Sequence, residues 1–184
     1  METKSDVDWM KVIRDRCGFQ EGCFVPSIGS NGGLALFWDS KVRIKILGSS
    51  LSHIDAIMKG DGNYSPWCLT GFYGNPETPK RMESWQLLNS LSSVSQLSWF
   101  VIGDFNEIRC AEEKEGGATR PYQQMAHYWI FLDPILPGFI RGGMGLRSEN
   151  TLIMHLYLRI GLPYFLWLSY FINLHLFRII ARCF

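Results

Sequence analysis

The sequence predicts a mixed α and β chain with a sheet core and helices outside it, and three observations carry that prediction. Short apolar segments with strand character succeed one another between residues 20 and 73, separated by turn signals. One clear amphipathic helical stretch follows, at residues 79–94. A buried apolar strand then runs through Trp99–Ile102 and stops abruptly at "GDFN", residues 103–106. The order is therefore strands first, then helix, strand and a second helix candidate.

Each element has its own signal. Residues 5–19 read as an opening helix, with Ser5 or Asp6 as cap and Gly18 as terminator. Trp9, Val12, Ile13 and Arg16 fall at helical spacing there. The segments "CFVPSI", "GGLALFW", "VRIKILGSS" and "HIDAIMK" read as an antiparallel meander, with "SNGG" and "WDSK" as turns. "WCLTGFYG" is a further apolar strand closed by a glycine turn. In residues 79–94, Met82, Trp85, Leu88 and Leu91 recur at three-residue spacing on one face. "EEKEGGATRPYQ" reads as a solvated polar loop, and "QQMAHYWIFLDPIL" as a second helix ended by Pro134 and Pro137. There is no internal repeat.

The 184 residues are enough for one domain with a real core, and the formal net charge is only +1. No long-range basic field exists to hold a polyanion, which leaves local contacts as the route for a nuclease. The five cysteines, Cys17, Cys23, Cys68, Cys110 and Cys183, are odd in number and form no CxxC pair. They suggest a reducing, intracellular setting, nuclear or cytoplasmic, rather than a disulfide framework or a zinc site. Cys110 reads as a small core residue. The opening "METKSDVD" is charged and carries no secretory signal.

The chemistry gathers where the last clear strand ends. Asp104 and Asn106 are two residues apart, so on a continuing strand they share a face while Phe105 turns into the core. A carboxylate beside an amide suits phosphoryl transfer: the Asp positions and deprotonates water, and the amide steadies phosphate oxygens. Oxygen donors of this kind also suit Mg²⁺, which takes one or two protein carboxylates, several waters and substrate phosphate. Glu107 falls on the Phe105 side and is a poorer candidate. The competing reading makes Gly-Asp-Phe-Asn an ordinary turn.

"VIGDFNEI" resembles the signature of the endonuclease/exonuclease/phosphatase superfamily, the fold of DNase I and the apurinic endonucleases. The chain is most similar to the endonuclease domain of plant LINE-type (non-LTR) retrotransposon polyproteins. Several stretches match in order: "METK" at 1–4, "GGLALFW" at 32–38, "LTGFYGNPE" at 69–77, "RMESWQLLNSL" at 81–91, and "SWFVIGDFNEI" at 98–108 with "EKEGG" at 113–117. The resemblance implies an α+β, four-layer α/β/β/α sandwich that hydrolyses phosphodiesters with Mg²⁺, or Mn²⁺ in its place. In LINE elements this domain nicks target DNA, so DNA is the implied partner and no protein partner is implied. By the same resemblance Glu2 binds the metal with Asp104, Tyr73 contacts the scissile phosphate, and Asp104 and Asn106 are the catalytic pair. Taken alone, Glu2 is an acid near a helix start and Tyr73 a half-buried strand aromatic.

Against that family the chain reads as incomplete at both ends. The upstream strand with its active-site asparagine is missing before "METK". Downstream, no Thr-Trp, Arg-Leu-Asp-Arg or Ser-Asp-His motif occurs, no Asp follows Asp133, and neither His155 nor His175 follows an Asp. All 17 acidic residues lie between Glu2 and Glu149, although about four would be expected in residues 150–184 at that density. The expected division is therefore a partial endonuclease domain, 1–149, and a divergent hydrophobic tail, 150–184. A frameshift in a decaying element produces such a tail, and a misread exon boundary is the rival. Within the tail, residues 160–177 carry no charge, which is the lower length limit for a membrane span; Pro163, Asn173 and His175 weigh against one. The reading is a truncated nuclease copy, inactive by itself because catalytic groups act as a unit. The alternative is a non-catalytic retroelement fragment, membrane-associated through its tail.

Overall fold

The computed structural model describes residues 3–29, 31–60, 65–108, 119, 121–123, 125–126 and 154–159. The second helix candidate falls largely outside these residues, and "EEKEGG" and Cys110 fall wholly outside them. Among the described residues no helix is long and apolar enough to cross a membrane. The uncharged stretch 160–177 lies outside them.

Helix α1, Val7–Arg16, starts where Asp6 accepts a hydrogen bond from the Trp9 N–H at 2.7 Å. It ends at Gly18, whose φ of +81° suits glycine. The buried stripe differs from the expected one. Met10 is buried, and Ile13 and Cys17 pack with it against Phe19 and Phe37. Trp9 and Val12 are 49% and 40% exposed. Trp9 lies instead beneath the Arg16 guanidinium, 5.5 Å from its ring centroid. That cation–π contact explains how both residues share helical spacing without facing the core.

Two sheets follow among the described residues. Strands β1 (Glu21–Ile28) and β2 (Asn31–Trp38) form an antiparallel hairpin with Val25 opposite Leu34. Strands β3 (Ile44–Ser50), β4 (His53–Met58) and β5 (Trp67–Tyr73) form an antiparallel meander of their own, so the single meander expected from "CFVPSI" to "HIDAIMK" divides after β2 and "WDSK" joins two sheets instead of two paired strands. A 3₁₀ turn, Thr78–Lys80, and helix α2, Arg81–Ser93, then carry the chain across to β6 (Ser98–Asp104), which pairs parallel to β5. A parallel pair needs such a crossover. Strand β7, Met154–Arg159, pairs antiparallel to β6 and completes the sheet order β3-β4-β5-β6-β7. This strand falls within residues 150–184, the stretch read from the sequence as a divergent tail.

The side chains sort these elements into four layers. Phe24, Ala35 and Phe37 face α1. Val25, Leu34 and Leu36, on the opposite parity, meet Ile54, Met58, Leu69 and Phe100 of the larger sheet. The far face of that sheet presents Cys68, Phe72, Trp99 and Val101 to Trp85 and Leu88 of α2. The order is thus α1, small sheet, large sheet, α2, the α/β/β/α arrangement expected. Trp85, Leu88 and Leu91 lie in the predicted stripe of α2, but its start belongs to Arg81 and Ser84, both buried, rather than to Met82.

One polar network sits in the layer beneath α2. Thr70 donates to Asp55 at 2.5 Å and accepts from the Trp99 indole N–H at 2.8 Å. Asp55 and Thr70 are both buried. Burial pushes the Asp55 carboxyl above its ordinary range, against the opposing effects of the Thr70 hydroxyl and His53.

Candidate active site

Because β5 and β6 run parallel, their carboxyl ends coincide, and Tyr73 and Asp104 stand opposite each other as the final residues of both strands. Carboxyl ends of parallel strands are where ligands meet such sheets. Tyr73 packs against Val25, Leu34 and Ile54 between the sheets. Its backbone N–H donates to the Ser52 carbonyl at 2.8 Å, which ties the β3–β4 hairpin to the same end.

The strand does not continue to Asn106, which corrects the expectation of a shared strand face. Asn106 has a φ of +51° and sits in a bend. Asparagine tolerates this left-handed conformation better than most residues. Asp104 Oδ1 accepts from the Asn106 backbone N–H at 2.8 Å, so the carboxylate closes the turn that follows it. Asn106 Nδ2 donates to the Gly74 carbonyl at 2.7 Å, and the Gly74 N–H donates to the Asp104 carbonyl at 2.7 Å. A turn brings the three groups together just as a strand face would. Phe105 does enter the core, 2% exposed, with its ring 5.0 Å from that of Phe72 and 6.2 Å from that of Trp85.

Two glycines make the close approach possible. A Cβ on Gly103, whose φ is +154°, would collide with the Phe72 carbonyl oxygen. One on Gly74 would collide with the Phe105 carbonyl oxygen. The glycines flanking Tyr73 and Asp104 thus let two loops lie against each other.

The structure brings Tyr73, Asp104 and Asn106 together. Glu2 lies outside the described residues. Its neighbours are placed: Thr3 N–H donates to Gly33 O at 2.8 Å and Lys4 N–H to Gly32 O at 3.0 Å. Gly33 adjoins Leu34, which packs in one cluster with Tyr73. The start of the described chain therefore lies at the same end of the sandwich as the Tyr73–Asp104 pair.

Sequence reasoning passed over Arg81 and set Glu107 aside as a poorer candidate. Arg81 Nη1 donates to Glu107 Oε2 at 3.1 Å, with the side chains 11% and 2% exposed. A signal existed: an arginine in the first turn of a helix opposes the dipole and needs a partner.

Among the described residues no three His, Cys, Asp or Glu side chains gather as a closed metal cage. Mg²⁺ does not need one, since it binds through one or two carboxylates, water and phosphate. Asp104, a carboxylate at a strand end, opposite Tyr73 in register and bonded to the Asn106 N–H, fits that donor chemistry.

No protein-family model matches the chain, and no curated protein sequence matches it. Among solved structures it is similar to the endonuclease domain of TRAS1, a telomere-specific non-LTR retrotransposon, at 10% identity and a TM-score of 0.47, covering 76% of this chain and 67% of that one. It is also similar to the human Nocturnin catalytic domain with bound sulfate anion, at 15% identity and a TM-score of 0.48, covering 83% and 65%. Both are of the DNase I-like fold. The chain spans about two thirds of the length of each.

Proposed function

We propose that Tyr73, Asp104 and Asn106, with Glu2, form the chain's share of a divalent-metal site for phosphodiester hydrolysis, with DNA as substrate, in the manner of a LINE-type endonuclease. The observation that carries this reading is the in-register placement of Tyr73 and Asp104 at two coincident strand ends. The cross-link from Asn106 to Gly74 supports it further.

In this reading Asp104 and Glu2 hold Mg²⁺, or Mn²⁺. The bound ion would polarise a phosphoryl oxygen as a Lewis acid. Asp104 takes a proton from the attacking water, the Asn106 amide donates toward a phosphate oxygen, and the Tyr73 hydroxyl contacts the scissile phosphate. An amide carries two N–H donors, so the bond to Gly74 leaves donor capacity for the phosphate.

Proton handling at the leaving group has no counterpart in residues 134–184, which contain no Asp and in which neither His155 nor His175 follows one. We therefore propose metal and DNA binding without turnover for this chain on its own. The test is nicking of supercoiled plasmid in Mg²⁺ by wild type and Asp104→Ala. Nicking indistinguishable between the two, alongside Mg²⁺ binding by wild type alone, fits the proposal. Fast nicking abolished by Asp104→Ala would show a complete enzyme instead.

A further inference from the structure

The buried Arg81–Glu107 pair sits where the two loops of the candidate site meet the first turn of α2. Arg81 Nη1 donates to Glu107 Oε2 at 3.1 Å, and Nη2 donates to the Pro76 carbonyl at 3.0 Å. Pro76 follows Tyr73 and Gly74 in the loop after β5; Glu107 follows Asp104 and Asn106 in the loop after β6. Glu107 Oε1 also accepts from the Ile108 N–H at 3.0 Å, which fixes the loop beyond the turn. One turn further along α2, Ser84 Oγ accepts from the Asn75 N–H at 2.9 Å. The planar guanidinium fork thus bridges both loops at once, which lysine cannot reproduce with a single nitrogen.

We infer that Arg81 and Glu107 are positioning residues for the candidate metal site: their buried ion pair holds the turn that presents Asp104 and Asn106 beside Tyr73. This rests on the proposed function of that turn. The pair touches no substrate itself and acts through the loop backbone. A buried pair is expensive to keep charged, and replacing both partners by apolar groups is often neutral for stability. Retention of the charges at this site is accounted for by loop geometry.

The test uses the full ¹⁵N-labelled chain with Mg²⁺ as probe. Arg81→Met/Glu107→Leu removes both charges together, so neither is left buried alone. Arg81→Lys keeps the charge and loses the fork, and carries the same test if the double variant does not fold. The Trp99 indole N–H signal reports the core, and the Asn106 backbone and side-chain amide signals report the turn. The expected result is an unmoved Trp99 signal, shifted Asn106 signals and a Mg²⁺ dissociation constant raised about tenfold, the size typical of lost outer-shell support. Unchanged Asn106 signals in the folded variant would overturn the inference, whatever the metal affinity does. Shifted Asn106 signals in a chain whose wild type binds no Mg²⁺ would support the coupling and refute the proposed function, so the two fail separately.

Discussion

Asn106 donates a side-chain N–H to the Gly74 carbonyl at 2.7 Å, so the residue two past Asp104 is bound to the residue one past Tyr73. This bond, with the return bond from the Gly74 N–H to the Asp104 carbonyl, makes two strand ends one unit. Asn106 combines that bond with a φ of +51°, and the two contributions are separable. Asn106→Ala loses the hydrogen bond, at about 1 kcal/mol, and keeps a Cβ in the left-handed region without the polar side chain that lets asparagine tolerate it. Asn106→Gly loses the same bond but removes that Cβ, and is expected to be about 1 kcal/mol less damaging than Asn106→Ala. Urea unfolding of the two variants measures both, and equal losses would contradict the strained geometry.

Gly74→Ala and Gly103→Ala each push a Cβ into the carbonyl of the neighbouring strand or loop. Backbone cannot rotate away as a side chain does, so each is expected to cost about 3 kcal/mol, the upper end of overpacking effects. Gly48→Ala, where a Cβ meets nothing within 4 Å, is the control and should lower the melting temperature far less.

Thr70 both donates to Asp55 and accepts from Trp99, with all three side chains buried. Thr70→Val keeps the shape and leaves a carboxyl and an indole N–H without that partner. The expected loss is about 2–6 kcal/mol, since each of the two buried polar groups left unpaired costs about 1–3 kcal/mol. Thr70→Ser keeps the hydroxyl and should recover most of it in the same denaturation experiment.

Asp55 also sets a pH dependence. Burial raises its folded-state pKa above the unfolded value, so the folded chain retains a proton that the unfolded chain has released. Its contribution is fully present below the ordinary carboxylate range and is lost as pH rises through the folded pKa. His53, whose pKa burial lowers, acts in the opposite sense and loses its contribution as pH falls. Comparing wild type with Asp55→Asn isolates the carboxyl. The stability difference should move in favour of Asp55→Asn as pH rises from the ordinary carboxylate range, and a flat difference would contradict the buried, proton-retaining state.

The α+β class was legible because α2 has a strong helical period and the strands are bounded by Gly, Asn and Asp turns. The division into two sheets was less so. Strand β5 is covered on both faces, with Trp67, Cys68, Leu69 and Thr70 all buried in succession, and a strand buried on two sides shows no alternation. The α1 stripe was misread because Trp9 has the hydrophobicity of a core residue yet finds a cation on the surface. At the site, the residue types of Asp104 and Asn106 suggest phosphoryl chemistry, but their spacing implied a strand where a left-handed turn stands. The Arg81–Glu107 pair joins positions 26 apart, which no local period reveals.

The central claim is that the Asp104 carboxylate, at the joined ends of β5 and β6, holds a divalent cation. Calorimetric titration of Mg²⁺ into the full chain, wild type against Asp104→Asn, tests it most directly. Asparagine keeps the oxygen that accepts from the Asn106 N–H, so the turn survives and only the charge is lost. The account predicts saturable binding by wild type, weakened about tenfold or more in Asp104→Asn. Equal affinities, or no binding by a folded wild-type chain, would contradict it.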